Sequence, residues 1–215
     1  MKTNRDQKKF LTKLRIALSG PLPGAIAQNK MAPPHRPVES RIPKSGENIR
    51  NSAVLILLWP EGEQISTVFI LRPEYDGIHS NQIAFPGGKQ EFTDVNFVAT
   101  ALREAREEVG IIPDDVTILG QLSPLYIPPS HFLVYPVVGY TLIKPNFVPD
   151  PVEIKEVIPC DLFTFLRPES LVIKDIRVNG STLPNIPCYE IEGKYMWGAT
   201  AMIFSELLEI IRFMD

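Results

Sequence analysis

The sequence predicts an α/β (α+β) protein in which helices and strands are interleaved along the chain. Three stretches carry that prediction. Residues 53–58 are an unbroken apolar run suited to a buried strand, and a turn at 60–63 joins them to a second strand at 66–71, a hairpin. Val98, Leu102, Ala105 and Val109 recur at steps of four, three and four residues, which lays one apolar stripe along a helix. A last amphipathic helix follows residue 197 and ends near Ile211.

The remaining elements follow in order. Residues 5–18 read as an amphipathic helix, with Phe10, Leu11, Leu14, Ile16, Ala17 and Leu18 set against lysines and arginines. Residues 19–49 carry Pro21, Pro23, Pro33, Pro34, Pro37 and Pro43 and read as an extended arm, either a linker or a strap across the domain or a second subunit. The chain therefore divides into a helix and arm, 1–49, and a main domain, 50–215. After the hairpin, a long polar loop from Arg72 to Phe85 runs into Pro86-Gly87-Gly88, a turn that lets backbone approach closely. Gly110 and Pro113 stop the following helix. Residues 116–119 and 134–140 read as strands, and the Pro-rich loop 123–132 between them holds Tyr126, Ser130, His131 and Phe132. Residues 162–166 form a short helix, 171–173 and 176–178 flank a turn, and 188–191 pairs with 195–197 across Glu192-Gly193-Lys194.

Composition excludes several classes of function. A chain of 215 residues can bury a substantial core, and 44% hydrophobic with 22% charged residues is ordinary for a globular protein. The net charge of −3 implies no broad basic surface, so nucleic acid is not an expected partner. No run approaches the roughly 20 apolar residues that span a bilayer, and the basic N-terminus lacks a signal-peptide apolar region. Cys160 and Cys188 have no CxxC spacing and read as buried reduced thiols, so a cytoplasmic protein is expected.

The chemistry lies on the helix that follows the glycine turn. Glu104, Glu107 and Glu108 stand at i, i+3 and i+4, which places their carboxylates on one face within a turn. Like charges so placed cost an isolated helix roughly 0.2–0.5 kcal/mol per pair. Either a hard divalent cation offsets that cost, or Arg103 and Arg106 neutralise a solvated acidic face. The glycines favour the first reading, because a tight turn feeding an acidic helix can set carbonyls, carboxylates and a metal around one diphosphate. No P-loop or GxGxxG element competes for a phosphate role.

Residues 88–111 resemble the Nudix box, G-x5-E-x7-R-E-U-x-E-E-x-G-U with U aliphatic. Arg103-Glu104-Ala105-Arg106-Glu107-Glu108-Val109-Gly110-Ile111 fits its second half, with Ala105 as a small U. Counting from Gly88, position seven is Asp94 rather than Glu, and eight residues rather than seven separate it from Arg103. The segment ahead of the box is similar to that of coenzyme A pyrophosphatases at Arg72, His79, Gln82, Phe85 and Pro86-Gly87-Gly88. Those relatives commonly share the longer box with Asp at position seven. Asn81 stands where they have glycine, and Asp76 where a basic residue is common. Trp197-Gly198-Ala199-Thr200-Ala201 also occurs in the subgroup, so the resemblance covers roughly residues 50–211.

The resemblance implies an α/β/α sandwich with a mixed sheet and a loop-helix-loop box. It implies metal-assisted attack of water on a diphosphate, with Mg²⁺ or Mn²⁺ as cofactor. Glu104 and Glu108 are the expected metal ligands, with Glu107 and a Gly87 or Gly88 carbonyl completing the shell, and Arg103, Glu107 and Glu108 form the catalytic set. Arg103 is expected to orient the carboxylates. Glu153 and Glu156 are further candidates for ligand or base. Arg72, His79, Gln82, Phe85, Gly88, Lys89 and His131 are the expected substrate contacts. The expected substrate is CoA or acyl-CoA, cleaved to 3′,5′-ADP and 4′-phosphopantetheine or its acyl form. A diphosphatase for ADP-ribose, NADH or nucleoside triphosphates stands as the alternative, as does a silent nucleotide sensor, although a sensor needs no full set of glutamates. A homodimer remains open.

Overall fold

A computed structural model describes residues 3–34, 43, 46–74, 80–178 and 180–214. Its elements begin with α1 (Thr3–Leu18), α2 (Ala25–Gln28), β1 (Arg50–Glu61), β2 (Gln64–Leu71), β3 (Ile83–Ala84), β4 (Gly87–Lys89) and α3 (Phe97–Val109). Then come β5 (Thr117–Gln121), β6 (Leu125–Ile127), β7 (Phe132–Tyr140) and β8 (Glu156–Asp161). The chain ends with β9 (Leu171–Val178), β10 (Ser181–Ile191), β11 (Lys194–Met196) and α4 (Gly198–Arg212).

The apolar run is the spine of a mixed sheet. β1 pairs antiparallel with β2 on one side and parallel with β7 on the other, where the register runs from Arg50 opposite Phe132 to Leu58 opposite Tyr140. The sheet is ordered β3-β2-β1-β7-β5, with β4 on β1, β6 on β7 and β8 on β2. Successive side chains of a strand point to opposite faces. Ala53, Leu55, Leu57 and Trp59 pack with Ala101, Ala105 and Val109 of α3, whereas Ile56 and Leu58 pack with Leu14 of α1 and Phe204 and Leu207 of α4. Both faces of β1 are therefore covered by helix, which is why its sequence is continuously apolar rather than alternating. A mixed sheet between helical layers agrees with the predicted α+β sandwich.

Helix α3 starts and stops where local chemistry dictates. The Asn96 side chain caps it by accepting the Ala99 N–H at 2.9 Å, and Gly110 ends it at a φ of 74°. The N-terminal segment is part of the same packing: Leu14 and Met31 are fully buried in the α4-side core, and α2 lies against α4.

Three expectations are corrected. The arm is not extended throughout, because 25–31 forms α2 and a 3-10 turn; its residues 35–42 and 44–45 lie outside the described residues. The loop 123–132 contains β6, paired to β7 from Leu125 opposite Val134 to Ile127 opposite Phe132. Residues 171–178 are one strand without an internal turn; β9 pairs with β10 in a small second sheet completed by β11. That strand alternates between exposed and half-buried positions and so has only short apolar runs, which read as two pieces in the sequence.

Candidate active site

The glycine turn brings strand and helix together. β4 pairs with β1 at Val54 opposite Gly87 and Ala53 opposite Gly88. Gly87 has a φ of 152°, and a side chain there would strike the Ala53 carbonyl; one at Gly88 would run into the Glu104 carboxylate. Glycine is thus required at Gly87 by both backbone conformation and space, and at Gly88 a side chain would displace the Glu104 carboxylate.

Helix α3 lies against this turn and presents its glutamates to it. Glu108 is 2% exposed, its Oε2 accepts the Gly87 N–H at 2.8 Å, and its Oε1 is 3.6 Å from Arg72 Nη2. Burial pushes its carboxyl up to about 7, against the pull of Arg72 and of the Gly87 N–H and with a push from Glu104 and Glu153. Glu104 is also raised, chiefly by burial, with Glu107 and Glu153 adding to the rise and Arg103 opposing it. Glu104, Glu108 and Glu153 line one pocket of about 370 Å³ with Arg72, Gly87, Gly88 and Val152. Glu153 arrives from the turn before β8, more than forty residues beyond the helix.

Arg103 holds the helix face in place. Its Nε and Nη2 donate to the two carboxylate oxygens of Asp94 at 3.0 Å each, a bidentate pair, and Nη2 also donates to the Lys89 carbonyl at 2.9 Å. The same guanidinium reaches Glu104 Oε1 and Glu107 Oε2, both at 2.9 Å. This contact draws Asp94 down to about 2 and raises Arg103 above the usual guanidinium range. Asp94, at position seven of the box, is therefore the anchor of Arg103, which sequence reading noted only as a departure in spelling. Glu107 is half exposed, is bound to Arg103, and is absent from the carboxylate pocket. Among the described residues, no three His, Cys, Asp or Glu side chains converge tightly enough to enclose an ion alone.

Beside the carboxylate pocket is a half-open cavity of about 480 Å³, and the two share Arg72, Gly87 and Gly88. Its walls are largely apolar, with Val54, Ile127, Phe132, Val134, Trp197 and Ile203 among them. Gln82 and Lys89 also border it. Phe85 borders it as well, but is 2% exposed and packs against Phe69 and Phe204. The 197–200 segment that resembled the subgroup forms part of this wall at Trp197, Gly198, Ala199 and Thr200. Arg72 donates to the Gly87 carbonyl at 3.2 Å, and its N–H to the Gln82 carbonyl at 3.1 Å. Asn81 sits at a φ of 54°, a left-handed conformation that asparagine tolerates better than most residues other than glycine.

His131 is not brought into the cavity wall: it is exposed, and its Nδ1 is 3.1 Å from Tyr126 Oη, which donates to Glu47 Oε2 at 2.6 Å. Glu156 is taken up by Lys194 at 3.0 Å. His79 and Asp76 lie outside the described residues. Cys188 is buried and Cys160 half-buried; both are free, and burial raises both thiols, to about 11 and about 12.

Comparison with known proteins agrees with this geometry. The model of the NUDIX domain matches residues 49–178. The peroxisomal coenzyme A diphosphatase NUDT7 of Mus musculus is 36% identical over 128 residues, 60% of this chain and 54% of the mouse protein, so the chain spans about half of that relative. The uncharacterized Nudix hydrolase NudL of Yersinia enterocolitica is 33% identical over 162 residues, 75% of this chain and 82% of the relative. Among solved structures, the MutT protein of Methanosarcina mazei aligns over 77% of this chain and 96% of its own, at 16% identity and a TM-score of 0.49. Among the described residues no helix is long and apolar enough to cross a membrane. The glycine turn, the arginine-clamped glutamate helix and the matched residues together establish that this chain belongs to the Nudix family.

Proposed function

We propose that the protein hydrolyses the diphosphate bond of CoA or an acyl-CoA, giving 3′,5′-ADP and 4′-phosphopantetheine or its acyl form. One observation carries this reading: the carboxylate pocket shares Arg72, Gly87 and Gly88 with a half-open, largely apolar cavity. A diphosphate flanked by a long organic arm fits that pairing of pockets. The 36% identity to a protein named as a coenzyme A diphosphatase supports it, as do Arg72, Gln82, Phe85 and the Trp197–Thr200 segment at the cavity wall.

The residues fit a divalent cation. Burial raises both Glu104 and Glu108, Glu108 to about 7, and Glu153 adds a third carboxylate to the same pocket. An all-oxygen donor set of this kind suits Mg²⁺ or Mn²⁺, which one or two carboxylates hold while substrate phosphate oxygens and water complete the shell. When bound, the cation supplies neutralisation of the diphosphate and a hydroxide near neutral pH. Glu104 and Glu108 would hold it, with Glu153 and a Gly87 carbonyl at its margin. Arg103 orients Glu104 and Glu107 while Asp94 and the Lys89 carbonyl fix Arg103. Arg72, beside Glu108 and at the junction of the two pockets, binds a phosphate oxygen, and Lys89 borders the same junction.

Mass spectrometry of products tests this reading, using purified protein with Mg²⁺ or Mn²⁺ and a mixture of CoA, acetyl-CoA, NADH and ADP-ribose. The expected result is release of 3′,5′-ADP with phosphopantetheine or its acetyl form. Cleavage of NADH or ADP-ribose with CoA untouched overturns the CoA assignment.

A further inference from the structure

A second pocket, of about 620 Å³, adjoins the apolar cavity, and the chemistry above makes no use of it. The two share Gln82, Ile83, Val178 and Trp197. Lys155, Arg177 and Lys194 line it, with Glu156 and Asp175 as its only acids among the described residues. Both acids are engaged: Glu156 holds Lys194 at 3.0 Å, and Asp175 accepts the Asn185 N–H at 3.0 Å. Lys155 reaches Asn81 Oδ1 at 3.3 Å and the exposed Glu74 at 3.6 Å. Arg177 has no acidic partner within ion-pair distance among the described residues.

The position of this pocket matters as much as its charge. The Lys155 N–H donates to the Leu71 carbonyl at 2.9 Å, and Leu71 precedes Arg72. Lys155 also lies two residues beyond Glu153 of the carboxylate pocket. An anion at Lys155 is thus next door to the diphosphate without sharing its ligands. A planar guanidinium beside two ammonium groups suits a doubly charged phosphate, since Arg binds two oxygens in a fork and Lys adds point charges.

We propose that the pocket of Lys155, Arg177 and Lys194 binds a phosphomonoester that the substrate carries outside its diphosphate. For a CoA-type nucleotide this is the 3′-phosphate, one ribose away from the scissile bond, and the inference rests on the CoA reading above. The pocket then selects substrates with a third phosphate and releases 3′,5′-ADP more slowly than AMP would leave.

The test compares CoA with 3′-dephospho-CoA, which differ only in that phosphate, using the full chain with Mg²⁺. The expected result is a wild-type preference for CoA of about tenfold or more in kcat/KM, carried mainly by KM, as for one charge-assisted contact. Arg177→Gln and Lys155→Gln should each reduce that preference, and calorimetry without metal should show 3′,5′-ADP binding more weakly to either variant, while AMP binding changes little. Equal use of both substrates by the wild type, or a preference preserved in both variants, overturns the inference and leaves the CoA reading intact. Failure to cleave either substrate while ADP-ribose or NADH is cleaved removes both. Inorganic phosphate provides a further arm. Competition against CoA but not dephospho-CoA supports the substrate assignment, whereas an equal effect on both assigns the pocket to a free anion and overturns it.

Discussion

Two buried glutamates, one on each helical layer, show how differently the fold treats a carboxylate. Glu206 of α4 is fully buried, and three donors are aimed at it: the Gly24 N–H at 3.0 Å, the Ser123 N–H at 3.3 Å and the Gln28 side chain at 2.9 Å. Glu108 of α3 is almost as buried but accepts one backbone N–H, with Arg72 standing off at 3.6 Å and Glu104 and Glu153 nearby. A buried carboxylate is stable when its lone pairs are satisfied and costly when they are not. Glu206 therefore ties the N-terminal segment and the 123 turn to the core, whereas burial with fewer donors makes Glu108 hold its proton more tightly beside a pocket. The first acts as a structural lock, and the second lines a pocket with few donors of its own.

The contrast can be broken by experiment. Glu108→Gln keeps the shape and removes the charge, so kcat should fall by about 100-fold or more, beyond what one lost hydrogen bond explains. Near-wild-type turnover would end the assignment of Glu108.

The metal-free protein should also show a pH signature. The Glu108 carboxyl is raised from 4.5 to about 7, so the folded state keeps a proton that the unfolded chain releases. Its contribution is complete below pH 4.5 and is lost as pH rises through 7, at most about 3 kcal/mol, with Glu104 acting in the same direction. Thermal melts in chelator should give a lower Tm at pH 8 than at pH 5.5, and Mg²⁺ should restore more at pH 8. A Mg²⁺ effect that is equal at both values refutes this.

Glu206→Ala strands three donors and should cost about 2 kcal/mol in a denaturant titration, with turnover of folded protein within a few-fold of wild type. A loss of turnover with stability intact would mean that Glu206 belongs to the chemistry instead. The smallest effect is expected at Glu107, which is half exposed and pairs with Arg103 outside the carboxylate pocket. Glu107→Gln should lower kcat by less than about tenfold, the cost of one surface-exposed contact. A drop as large as that of Glu108→Gln would place Glu107 among the metal ligands in solution.

Much of the site was legible because it is local. Gly87, Gly88, Glu104 and Glu108 fall within twenty-two residues, and the helical repeat alone puts the glutamates on one face. The helical repeat alone could not separate the glutamates, since it treats Glu107 and Glu108 as neighbours, and the resemblance kept Glu107 in the expected shell behind Glu104 and Glu108. Their fates diverge because α3 packs Glu108 under β4 and leaves Glu107 on the rim with Arg103. His131 shows the same limit: a histidine in an aromatic loop reads as a ligand contact, but a left-handed residue at φ 54° accompanies its turn toward Tyr126.

By itself, the sequence determined the first and last helices, the hairpin with its covered spine at 53–58, the stop of α3 at Gly110 and the spacing of the glycine turn and glutamates. These follow from periods of two and 3.6 residues and from the backbone freedom of glycine, all of which act within a few residues. Only the tertiary structure decided the rest. β1 runs parallel to β7 across some eighty residues, Glu153 enters the carboxylate pocket from the turn before β8, and residues 3–34 fill one side of the core. Such contacts are selected by burial of surface between distant segments, a collective quantity that no local spacing encodes.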